Sequence, residues 1–298
     1  MTGAINLMYN LNFIIMRNLV KQEESKNGKY RISVYYDEYA ESPCTNWDLG
    51  AAYLFEYNDH YGRTHRLHDD CSWREVYDPK WDSNKHSLAD AVCSIVKDYV
   101  SDNDIIKYLR NGTDSYRLVY NRKDRIWQLM YNPRTCGKEY SCVNWWNCKL
   151  EDLDASELLE NLDYEDYVDL LTKYGKDIYV KESTLTGYCQ GDSVDVFAFC
   201  TKEMLEKRRG RNEKTYKTWQ EQADAIMEGE IDCINRWMWG DVYGYVLEER
   251  KNFTKTYEDG EVEEDFEWEE IDSCGGYFEE PDDIIEEILS DYDKKEAA

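Results

Sequence analysis

His60, His65, His68 and Cys71, all within HYGRTHRLHDDC, are residues of metal-ligating type. Zinc accepts imidazole nitrogen and thiolate, and the last three stand three residues apart, so one turn of chain could present them to one ion. The paired CxxC spacing of structural zinc sites does not accompany them. A polar loop with scattered histidines is the plainer reading, and no metal or other cofactor is assigned. Cys136, Cys142 and Cys148 recur every six residues beside Trp145 and Trp146. As thiolates they would bind metal; as neutral thiols they are small core residues, the simpler reading.

No Walker loop, GxGxxG, GxSxG or HExxH occurs, so the familiar phosphate-binding, nucleophile and metalloprotease arrangements fail. Carboxylates are too numerous for one acid/base pair to be singled out. No catalytic residue is therefore named. A binding protein is the class the residues favour, against a metal-dependent hydrolase using the His60 to Cys71 cluster and a structural or housekeeping protein.

The carboxylates themselves carry the clearest pattern. In EDGEVEEDFEWEEIDSC, Glu258 to Cys274, acids interleave with Val262, Phe266 and Trp268. On a strand, successive side chains alternate faces. Glu261, Glu263, Asp265, Glu267 and Glu269 then project from one face, while Val262, Phe266 and Trp268 share the other with Glu264 and Glu270. Same-face neighbours on a strand stand about 6.7 Å apart, whereas one strand of duplex DNA places a phosphate about every 3.4 Å. A single row is half as dense. Asp282, Asp283, Glu286 and Glu287, or Asp163, Glu165, Asp166 and Asp169, would raise the density if folding gathers them. Two readings stay open: a surface that imitates nucleic acid, and an acidic face that keeps the chain soluble.

Charge distribution agrees with an acidic docking face. The 298-residue chain has a formal net charge of −27. Residues 1–150 hold 20 acids and 20 bases, and residues 151–298 hold 43 acids and 16 bases. Phosphate would be repelled by the second half, so direct nucleic-acid binding is not expected there and a basic partner is. The basic runs at Glu206–Arg211 and at Arg122, Lys123 and Arg125 are too short to reverse this. Aromatics at 14% indicate a folded protein. Ten cysteines in a chain this long form no disulfide framework, which points to reduced intracellular thiols. The opening twenty residues lack a basic segment before Arg17 and are too polar to span a bilayer, so a cytoplasmic protein without membrane contact is expected.

The elements that must position these residues are mixed. KYRISVYYDEYAESP and LGAAYLFEY read as strands. SLADAVCSIVKDYVS has the apolar spacing of a helix with Ser87 as its cap, and SYRLVYNRKDRIWQLMY reads as a hairpin with its tip at Asn121 to Asp124. DASELLENLDYEDYVDLLTKYG is an acidic helical stretch, with Asp154 and Glu157 at capping-box spacing and Gly175 as its stop. DVFAFC is a short buried strand. A helix covers about Tyr216 to Met238 with Ala223, Ile226, Ile234 and Trp237 on one stripe. DVYGYVLEE is a strand paired with the acidic segment, and PDDIIEEILSDY is a closing helix. The fold class is α+β: two mixed domains with antiparallel sheets, 1–150 charge-neutral and 151–298 acidic.

Four passages are similar to those of a family of phage and mobile-element proteins, many of them uncharacterised: DEYAESPCTNWDLG (Asp37 to Gly50), GDSVDVFAFCTKEML (Gly191 to Leu205), EIDCINRWMWGDVYGYVLEE (Glu230 to Glu249) and EEIDSCGGYF (Glu269 to Phe278). Their order is the same; the chain departs from the family at Cys44, Thr45, Asn46, Ser193 to Val196 and Gly275. The resemblance does not extend to about residues 60–185. It implies a phage or mobile-element setting and supplies no catalytic residues. In that setting acidic proteins without enzyme motifs act against host defence, as DNA mimics against restriction or CRISPR nucleases or by coating a nuclease complex such as Gabija. The expectation is an inhibitor that docks Glu261, Glu263, Asp265, Glu267, Glu269 and Trp268 on the DNA-binding surface of a host immune nuclease, with oligomeric state left open.

Overall fold

The computed structural model describes residues 18–46, 49–58, 64–65, 88–131, 141–186, 193–208, 216–257 and 261–297. Every strand pairing in it is antiparallel, and helices and strands are both abundant, so the chain is α+β. It forms two compact units, Met1–Trp47 with Asp232–Ala298, and Asp48–Ile231. The division therefore does not fall near residue 150. Its cause is pairing between distant strands, which a left-to-right reading of composition does not register.

In the first unit, a four-stranded sheet has the order β1 (Leu19–Glu24), β2 (Tyr30–Tyr36), β10 (Tyr243–Thr256), β11 (Val262–Tyr277), and the short helix α1 (Pro43–Asn46) follows β2 in sequence. β2 alternates as its sequence requires: Tyr30, Ile32 and Val34 are buried on one face, in register with Glu249, Leu247 and Tyr245 of β10. Helix α8 (Pro281–Ala297) lays Ile284 and Ile285 on that face. Pro281 suits the first turn of α8, where its missing N–H has no partner to lose.

The second unit is built on the sheet β4 (Thr64–His65), β3 (Ala52–Asn58), β9 (Ser193–Thr201), β8 (Ile178–Thr186), in that order. β9 is interior, and its run from Val194 through Cys200 is apolar on both faces except at Asp195 because both are covered. One face places Leu54, Phe197 and Phe199 against α2 (Leu88–Tyr99), α3 (Asp102–Asn111) and the pair α4 (Ala155–Leu159) and α5 (Tyr164–Tyr174). Leu118 of β5 (Tyr116–Asn121) and Leu129 of β6 (Ile126–Tyr131) join the same core, and β7 (Ser141–Trp146) completes that small sheet.

The acidic helical stretch is two helices, not one. Asp154 caps α4 by accepting the Ser156 N–H at 2.8 Å. Glu157 accepts the Trp146 indole N–H at 2.6 Å. Gly175 ends α5, donating its N–H to the Leu171 carbonyl at 2.9 Å. A Cβ at Gly175 would lie 2.4 Å from that oxygen, which explains the glycine.

The other face of the β3–β9–β8 sheet is met by α7 (Trp219–Trp239). Its Asp224 accepts from Lys181 Nζ at 2.9 Å and from Tyr179 at 3.2 Å. Ala223, Met227 and Ile231 form the buried stripe, so Ile226, expected there, is displaced by Met227 one position on. Trp237 is half-buried and donates its indole N–H to Ala40 at 3.0 Å. α6 (Lys202–Arg208) follows β9.

Burial pushes the phenols of Tyr164 and Tyr167 well above the ordinary tyrosine value. The same holds for Tyr108, where the Asp166 carboxylate adds to the effect of burial. A raised folded value means stability that is whole below the unfolded value of about 10 and is lost as pH rises through the folded ones. The expected result is a single alkaline transition in which phenolate absorbance from these tyrosines appears together with loss of near-ultraviolet dichroism. Normal titration of all tyrosines with the fold intact would contradict it.

Candidate binding surface

The turn between β1 and β2 decides where the acidic surface begins. Ser25 donates its N–H to Tyr30 at 2.9 Å, Gly28 donates to Ser25 at 2.8 Å, and the Asn27 side chain accepts from the Lys29 N–H at 2.9 Å. Gly28 has φ +69°, a conformation glycine adopts without a Cβ penalty. β2 therefore starts at Tyr30, and its ladder with β10 stops at Glu249; one further bond runs from the Arg250 N–H to Lys29 at 2.8 Å. Beyond it, β10 and β11 continue as a pair without a third strand among the described residues. Seven residues of β10, Arg250 to Thr256, form this arm with Val262 to Trp268, a length of about 23 Å.

Register fixes what each face shows. Lys255 lies opposite Glu263, Phe253 opposite Asp265, Lys251 opposite Glu267 and Glu249 opposite Glu269. Glu263, Asp265, Glu267 and Glu269 share this face as the spacing predicted; Glu261 precedes the strand, where its carbonyl accepts the Tyr257 N–H at 2.8 Å. The row is a mixed one. Lys255 pairs with Asp265, Lys251 pairs with Glu249 and stands 3.9 Å from Glu269, and Tyr257 donates its hydroxyl to Glu263 at 2.6 Å. The Lys255 ammonium, and then the Phe266 N–H, hold the Asp265 carboxyl below its ordinary value. Five carboxylates face two lysines across the pair, so the surface stays net negative. This face continues the side of the sheet that carries α8, whose Asp282, Asp283, Glu286 and Glu287 are exposed.

Trp268 does not belong to the carboxylate face. It lies on the opposite one with Phe266, their rings 6.0 Å apart and edge to face. The Arg31 guanidinium sits 4.7 Å over Trp268 and the Arg250 guanidinium 3.9 Å over Phe266. Arg31 also reaches Glu248 at 2.7 Å. Composition gave no hint of these two arginines. The signal was the alternation of RKNFTKT, which, once paired with the acidic segment, puts Lys251 and Lys255 on one face and Arg250 on the other.

Asp163, Glu165, Asp166 and Asp169 lie in the second unit. There they line a cavity of about 850 Å³ with Tyr108, Tyr131 and Tyr174. Two of them are engaged internally: Asp166 accepts from Tyr108 at 3.0 Å and Asp169 from Lys173 at 2.7 Å. They form no extended row.

Of the candidate metal ligands, His60, His68 and Cys71 fall outside the described residues, as does Cys136, and of His65 only the backbone, on β4, is described. Cys142 is exposed on β7, which corrects its reading as a core residue, and Cys148 is half-buried. Among the described residues no group of histidine, cysteine and acidic side chains is arranged to hold a metal ion. Likewise, no described helix is long and apolar enough to cross a membrane.

The passages quoted for the family resemblance meet one another within each unit. Asp37 accepts from the Gly276 N–H at 3.0 Å, and the Ala40 carbonyl accepts from Trp237. In the second unit, Glu230 accepts from the Gly50 N–H at 2.7 Å, from the Ala51 N–H at 3.3 Å and from the Tyr53 hydroxyl at 2.6 Å. Their residues thus hold the fold together. No family model, curated protein or solved structure matches the chain.

Proposed function

We propose that this chain is a phage-type anti-defence inhibitor that binds a host immune nuclease, applying the β10–β11 arm to the surface where the nuclease holds DNA. The observation that carries the reading is the arm: a two-stranded extension past the end of β2, with Glu263, Glu267 and Glu269 exposed along one face. An isolated two-stranded hairpin is marginal in water, and here Phe253, Tyr257, Val262 and Phe266 are exposed as well. Such a concentration of exposed apolar side chains in one extension fits a surface that is covered in a complex. Acidic complementarity adds fast association and salt sensitivity. The sequence resemblance supplies the phage setting.

The test is a pull-down with the tagged full chain from a bacterial host carrying several defence nucleases, eluted in steps of rising salt and read by mass spectrometry. The expected result is one nuclease complex, released by salt, whose purified activity the chain inhibits. A folded bait that retains no nuclease, or a captured nuclease that cleaves unhindered, would overturn the proposal.

A further inference from the structure

We infer that the groove occupied by the arm is one built for single-stranded nucleic acid; this rests on the reading above and names the class of surface. The two faces of the arm differ in kind. One carries carboxylates at strand spacing, about 6.7 Å apart. Duplex DNA carries a charge about every 1.7 Å of its axis, roughly four times denser. The row is too sparse to stand for a duplex face, and its two lysines thin it further. A single strand, with one backbone and no complementary partner, is the closer counterpart.

The opposite face strengthens the comparison. Phe266 and Trp268 lie beneath the Arg250 and Arg31 guanidinium groups, giving two cation–π pairs side by side on one face of the strand. Grooves for single strands combine a basic track for the backbone with aromatic platforms on which bases stack. Guanidinium planes stack on such platforms as well, with a cation–π contribution. The arm therefore matches both halves of that groove, its acidic face the basic track and its paired aromatic and guanidinium groups the platforms. A second copy of this chain is disfavoured as occupant, because pairing two β11 edges would bring like carboxylate runs together.

The experiment uses the full chain and the captured nuclease complex, with a fluorescent poly-dT oligonucleotide and a duplex of equal length as probes. Displacement of the oligonucleotide is expected at lower concentration than displacement of the duplex. Phe266→Ser and Trp268→Ala are each expected to raise the required concentration about tenfold, the scale of one lost stacking contact, without changing its salt dependence. Phe266→Tyr, which keeps the ring, should restore displacement. Phe266 is 41% exposed, so its variants test contact and not the core; equal melting temperatures confirm it. Preferential displacement of the duplex, or aromatic variants that compete as well as the native chain, would overturn this inference and leave the inhibitor reading standing. Capture of no nuclease, or displacement of neither probe, would overturn both.

Discussion

Changing Glu263, Asp265 and Glu267 together to lysine is expected to weaken capture of the partner about 100-fold or more at low salt, the range that unfavourable charge juxtaposition at an interface produces. It should also flatten the dependence of binding on ionic strength. All three side chains stand on one face of β11, and none reaches a core. The change reverses the sign of that face without removing packed atoms. Lys255, opposite position 263, and Lys251, opposite 267, then face like charges, which loosens the arm by a few tenths of a kcal/mol per pair. A melting curve close to that of the native chain separates this small effect from the loss of binding. Unchanged capture by the triple variant, with the fold intact, would remove the acidic face from the interaction. Phe266→Ser should behave oppositely, lowering affinity at every salt concentration by a similar factor, because the contact it removes is not ionic.

Glu230→Ala is expected to destabilise the second unit by about 3–5 kcal/mol, the summed cost of leaving several buried donors without their acceptor. Glu230 is 8% exposed and accepts from two backbone N–H groups and one phenol at the start of β3. Alanine leaves the Gly50 and Ala51 N–H groups and the Tyr53 hydroxyl without that acceptor, and each unsatisfied buried group costs about 1–3 kcal/mol. Glu230→Gln keeps one acceptor oxygen and should lose less. Urea unfolding followed by tyrosine and tryptophan fluorescence reads both. A loss below about 1 kcal/mol for the alanine variant would mean that water replaces the carboxylate. Binding through the arm should be unaffected where the protein remains folded, since the arm belongs to the first unit and Glu230 to the second.

Short-range patterns of residue type already carry the local elements and the faces of the acidic strand. Ile32 and Val34 alternate with polar neighbours, Ala91, Val92, Ile95 and Val96 recur at helical spacing, and Val262 to Glu269 alternates between carboxylate and apolar positions; each emerged as read. These patterns have short periods, 2 for a strand and 3.6 for a helix, so a few adjacent residues suffice to reveal them. Which segments pair with which is a property of the folded chain. The link from β2 to β10 and from β3 to β9 moved the domain division away from residue 150. The short turn around Gly28 starts β2 only at Tyr30 and leaves the arm without a third strand among the described residues. Cross-strand register supplied Lys251, Lys255, Arg250 and Arg31 to faces that composition had painted as purely acidic or apolar. The physical reason is that hydrogen-bond register depends on two strands together, so neither segment alone encodes it, whether the strands are neighbours in sequence, as β10 and β11 are, or more than two hundred positions apart, as β2 and β10 are.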